Sequence, residues 1–106
     1  MNRLAPLIVF ALLLTALHDA GAQEMGRPQD GLALAQRVCA KCHAVEKQET
    51  RSPNLLAPTF ARIATTPGMT AMALSAALRT SHKTMPNLIL QGDDMANIIA
   101  YILSLK

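Results

Sequence analysis

The sequence predicts an all-α domain of three main helices and long loops, wrapped around something that is not protein. Three observations lead there. Apolar residues recur at helical spacing in three places: Leu34 and Val38, Leu74 and Leu78, and the stripe of Met95, Ile98, Ile99, Ile102 and Leu105. No stretch alternates as a half-buried strand would. The 106 residues include two Phe, one Tyr and no Trp, so the chain's own side chains supply few large core pieces. A chain of this length makes one domain, and a domain so small commonly needs a disulfide, a metal or a cofactor as a staple.

Arg3 gives a short positive start, Leu4 to Leu17 is apolar apart from Pro6 and Thr15, and Ala20-Gly21-Ala22 follows. A charged start, an apolar core of roughly 7–15 residues and an A-x-A site describe a secretory signal peptide. The run is short of the roughly 20 residues of a membrane span. Residues 1–22 are therefore expected to be removed, leaving a domain at 23–106 with no stable membrane insertion. An uncleaved anchor is the alternative, and both send the rest out of the cytoplasm. Removal takes away Arg3 and Asp19 and leaves the net charge of +3 unchanged.

Within the domain, residues 23–29 read as a mobile lead-in, with Gly26 and Pro28 against regular structure. Asp30 is a plausible N-cap for a first helix from Gly31 to about Cys42. Residues 46–58 are polar and proline-punctuated, hence a loop. A short helical turn from Thr59 to Ala64 turns Phe60 and Ile63 inward, Pro67-Gly68 marks a turn, and Thr70 caps the next helix. Residues 81–91 show no period and predict an extended loop. Gly92 opens the last helix, with Asp93 and Asp94 in the first turn, where negative charge suits the helix dipole.

The segment Cys39-Ala40-Lys41-Cys42-His43 has the C-x-x-C-H form of c-type haem attachment. Two thiols at i and i+3 lie about one helical turn apart. They can reach the two vinyl groups along one porphyrin edge and form thioethers, while His43 is carried under the ring to bind iron. The rival readings fit less well. A thioredoxin-like pair belongs beside a βαβ pattern. Structural zinc wants a full set of Cys and His ligands, and His43 directly follows Cys42 where zinc histidines are spaced by about three to five residues. A disulfide suits an oxidising compartment but leaves the core unfilled.

Iron in electron carriers is commonly closed by His and Met. Met25 lies in the lead-in, Met72 inside a helix and Met95 on the last apolar stripe, where each reads as filler. Met85 stands in the loop Thr84-Met85-Pro86-Asn87, and Pro86 biases it toward an extended conformation suited to projecting a side chain at a metal. Met85 is the expected distal ligand and His43 the proximal one. His82 is the rival, read as an exposed loop histidine.

On Cys39-Ala40-Lys41-Cys42-His43, Met85-Pro86 and the terminal Ile98-Ile99-Ala100-Tyr101-Ile102, the chain resembles the class I c-type cytochromes, in particular the small soluble monohaem ones of the bacterial periplasm. The resemblance covers residues 30–106. It implies a cytochrome c-like fold around one covalent haem c, held through Cys39 and Cys42. It also implies first and last helices crossing at right angles, with Gly31 and Tyr101 meeting there. It further implies a proline whose carbonyl accepts a hydrogen bond from the proximal histidine. Pro58, followed by Thr59-Phe60, is the better match, and Pro53-Asn54-Leu55 the other candidate. One departure is Ala35, where the family usually carries an aromatic, which predicts a looser crossing.

With both axial sites filled and no acid, base or nucleophile constellation, the expected role is a periplasmic one-electron carrier, monomeric and not an enzyme. Lys41, Lys47, Arg79 and Lys83 suggest a basic rim that docks weakly on acidic redox partner proteins. A net charge of +3, offset by haem propionates, argues against nucleic acid. Two other classes stay open. One is a gas-binding or peroxidatic protein, should Met85 not be a ligand. The other is the haem subunit of a periplasmic dehydrogenase.

Overall fold

The computed structural model describes residues 26–80, 82 and 84–106. These form four helices: α1 (Pro28–Val38), α2 (Phe60–Ala64), α3 (Ala71–Arg79) and α4 (Asp94–Leu103). Among the described residues there is no strand. No helix among them is long and apolar enough to cross a membrane. The proposed signal segment, residues 1–22, lies outside the described residues.

The first helix starts earlier and ends sooner than the sequence suggests. Its N-cap is Arg27, extended at φ −96° and ψ 113°, not Asp30. The cause is Pro28, which takes the first helical position, where a missing N–H costs nothing, and holds the residue before it extended. Asp30 falls in the first turn and pairs with Arg27 at 2.7 Å, an exposed contact worth little. The helix stops at Val38, and Cys39 to Cys42 form turns instead of its last turn. Nor are Gly26 and Arg27 a loose lead-in: the Arg27 N–H donates to Asn97 Oδ1 at 2.7 Å, tying the start of α1 to α4.

Helices α1 and α4 form the largest interface between elements. Glycine is required there. A Cβ on Gly31 would stand 2.7 Å from Tyr101 Cβ and closer still to the Asn97 carbonyl, and one on Gly26 would run into the Ala96 carbonyl. The shared core holds Leu34 and Ala35 from α1, Phe60 and Ala64 from α2, Leu74 from α3, and Ile98, Ile99, Tyr101 and Ile102 from α4. Ala35, expected to loosen the crossing, is fully buried at 0% exposure. Leu105, on the predicted stripe, is buried just past the end of α4.

The loops are fastened by named bonds. Thr59 and Thr70 cap α2 and α3 by accepting from the Arg62 and Ala73 N–H groups, each at 3.1 Å. The Tyr101 hydroxyl donates to the Val45 carbonyl at 2.6 Å, pinning the loop that follows the cysteine motif onto α4. Burial raises the pKa of this phenol, and the charges of Glu46 and Glu49 push it the same way. The neutral form is therefore the one the fold favours. Its contribution is complete below the ordinary phenol value near 10 and is lost as pH rises through the raised folded value. Tyr101→Phe should cost about 1–2 kcal/mol, because the Val45 carbonyl loses its partner. It should also flatten the fall in stability at alkaline pH; denaturant titrations at neutral and alkaline pH check both.

Candidate functional site

The cysteine motif sits on a tight turn at the C-terminal end of α1. The Cys42 and His43 N–H groups both donate to the Cys39 carbonyl, at 3.1 and 2.9 Å. This turn, in place of the expected helical one, keeps both thiols and the imidazole within one short stretch of backbone. Both thiols are free and partly buried. Burial pushes the Cys39 thiol up, away from the thiolate. A redox-active C-x-x-C pair depends instead on a lowered thiol, so the environment of Cys39 argues against that chemistry.

His43 is held on two sides. Its Nδ1 lies 2.7 Å from the Pro58 carbonyl. A carbonyl oxygen only accepts, so Nδ1 is the donor and, in the neutral ring, Nε2 holds the lone pair. The ring also packs against Phe60, with centroids 5.5 Å apart and planes at 54°. The loop between is folded to bring Pro58 there. Asn54 N–H donates to the Cys42 carbonyl at 3.1 Å and Phe60 N–H to the Ala44 carbonyl at 2.9 Å. The buried Ser52 hydroxyl accepts from Ala44 N–H at 3.0 Å. Of the two candidate prolines, Pro58 is the one whose carbonyl meets the histidine.

Two adjoining cavities, of about 250 and 180 Å³, open beside this turn. Cys39, His43, Pro58, His82 and Met85 line both. The larger is walled by core residues from every helix, including Leu34, Phe60, Leu74, Ile98 and Ile102. The smaller is bordered by Lys41, Leu56, Ala57 and Pro86. Thus the structure brings Cys39, Cys42, His43, Pro58 and Met85 around one apolar hollow. Among the described residues, no three His, Cys, Asp or Glu side chains gather to hold a metal by themselves.

Lys41 lines the smaller cavity. Arg79 borders another hollow with Ile89, Gly92 and Met95, which shares Leu88 and Leu90 with the larger cavity. Lys47 lies in the exposed turn between Glu46 and Glu49, and Lys83 is outside the described residues. The sequence reading missed the apolar mouth of the site. Val38 and Leu56, which line the smaller cavity, are exposed at 42% and 80%. A signal was present, since Leu55-Leu56 is an apolar pair in an otherwise polar loop. Met69, on the wall of the larger cavity, was also passed over.

A flat macrocycle fits this hollow. It needs apolar walls, two thiols at one edge and an imidazole with a free, oriented Nε2, and all are present. A helical domain built around such a site is a covalent haem protein. Comparison with known proteins agrees: the family model described as Cytochrome c matches residues 28–106, and the chain belongs to the cytochrome c family. It is also 36% identical over 77 residues to cytochrome c-552 of Bradyrhizobium diazoefficiens, covering 72% of each chain. No solved structure shows significant similarity to it. The cofactor is haem c, with Cys39 and Cys42 as the attachment pair.

Proposed function

We propose that residues 23–106 are a periplasmic one-electron carrier of the class I type, exported by the segment 1–22, with His43 and Met85 as the axial ligands. One observation carries the reading: Met85 and His43 line the same apolar cavities as Cys39. Bound haem supplies the redox chemistry, with iron alternating between Fe(III) and Fe(II). The chain's residues do the rest. Pro58 and Phe60 fix the orientation and tautomer of His43, which strengthens it as a donor. Leu34, Phe60, Leu74, Ile98 and Ile102 keep water from the buried side, and Met85 adds a thioether that raises the potential.

The cavity mouth is the natural place for a redox partner. There Lys41 stands beside the exposed Leu56 and Val38, which among the described residues gives a small apolar rim with a cation on it. Contacts of this kind are weak and transient. The family match supports a carrier over an enzyme, and a monomer suffices for the role.

The test is spectroscopic. The oxidised protein should show the weak far-red band of sulfur-ligated ferric haem. Met85→Ala should lose that band and shift the reduction potential downward, with the covalent haem retained. An unchanged band and potential in Met85→Ala would remove Met85 as a ligand. Rapid carbon monoxide binding by the reduced native protein would move the reading toward a gas-binding protein.

A further inference from the structure

His82 is left without a role by this reading, yet its setting parallels that of His43. It lines both cavities, as Met85 does. Its Nδ1 lies 2.8 Å from the Thr80 carbonyl, so Nδ1 is the donor and, in the neutral ring, Nε2 holds the lone pair. An imidazole that donates one N–H to a backbone carbonyl is oriented to bind a metal through its other nitrogen. The anchor itself is firm. Thr80 is the C-cap of α3; its N–H donates to the Ala77 carbonyl at 3.2 Å and its hydroxyl to the Ala76 carbonyl at 2.7 Å. Met85 N–H in turn donates to the His82 carbonyl at 3.3 Å, which puts both side chains on one turn of the loop.

We propose that His82 is a second distal ligand: when the Met85 thioether is absent, His82 Nε2 takes the distal position. This rests on the reading of Met85 as the ligand in the native chain. The ligation needs no oxidant, reductant or proton. With no thioether to displace, the imidazole would donate a neutral lone pair to a position otherwise left to water, and imidazole suits iron. Met69 also lines the larger cavity, but it packs against the core cluster and lies far from the loop in sequence.

The experiment compares the haem-loaded native chain, His82→Ala, Met85→Ala and the double variant, in buffer free of imidazole, by absorption and electron paramagnetic resonance. In Met85→Ala the far-red band should vanish while the ferric iron stays low-spin with a bis-imidazole signature, unchanged on serial dilution. The double variant should become high-spin and its reduced form should bind carbon monoxide rapidly. His82→Asn in place of His82→Ala should behave alike, which separates loss of the imidazole from collapse of the loop. A high-spin Met85→Ala protein, a low-spin double variant, or a low-spin fraction that falls on dilution would each overturn the proposal. If the native chain lacks the far-red band, the Met85 reading fails on its own. His82→Ala alone then decides: conversion to high-spin supports His82 as a ligand, and no change overturns it.

Discussion

A chain carrying Cys39→Ser and Cys42→Ser is expected to lose its covalent haem entirely and, once the haem is extracted, its cooperative fold. Neither serine can form a thioether, so haem would be held only by axial bonds and apolar contact, and acid–organic solvent would remove it. The structural effect follows from the size of the hollow. A cavity of about 250 Å³ left unfilled costs on the order of 6 kcal/mol at roughly 24 cal/mol per Å³. Small domains are stable by only about 5–15 kcal/mol in total, so the void consumes much or all of the margin. Its lining is the core itself: Leu34, Phe60, Leu74, Ile98 and Ile102 face both the hollow and one another. Haem staining after denaturing electrophoresis checks the first part, and helical circular dichroism with denaturant the second. A stained band from the double variant would refute the attachment. A sharp unfolding transition of the haem-free chain would refute the role of haem as the missing core.

Gly31→Ala should destabilise the haem-loaded protein by about 3 kcal/mol, the upper part of the usual range for overpacking. The added methyl would meet the Asn97 carbonyl and stand 2.7 Å from Tyr101 Cβ. The first of these is backbone inside α4 and cannot turn aside, so the two helices must separate. Separation loosens the largest interface between elements and strains the bond from Arg27 N–H to Asn97. Alanine's better helix propensity returns about 1 kcal/mol at most. A denaturant midpoint that falls with an unchanged slope is the expected result. A loss below about 1 kcal/mol would mean that α1 and α4 can slide apart freely, and that their close approach is not what orders the domain.

The cysteine motif was legible because its meaning is local: five consecutive residues carry both thiols and the imidazole, whatever the rest of the chain does. The stripe on the last helix was legible for a similar reason. Ile98, Ile99 and Ile102 repeat at helical spacing, and all are buried. The caps at Thr59 and Thr70 depend on a neighbouring N–H three residues on, and the structure has both bonds. Asp30 misled because it competed with Pro28 for the helix start. Fixing the proline ring's torsion is a stronger constraint than one side-chain hydrogen bond.

What depended on distant residues was not legible. The choice between Pro53 and Pro58 turns on bonds from Asn54 to Cys42 and from Phe60 to Ala44, which set where the loop crosses under His43. The exposure of Val38 and Leu56 at the smaller cavity likewise follows from how the loops are laid over the helices. By itself the sequence determined the helical class and the covalent cofactor with its cysteine pair, because each is written in contiguous residues or in a regular period. Only the tertiary structure decided which carbonyl orients the histidine, how closely α1 and α4 meet, and that His82 shares the cavity with Met85. Those depend on distances between segments remote in sequence, and such distances are fixed when the chain packs.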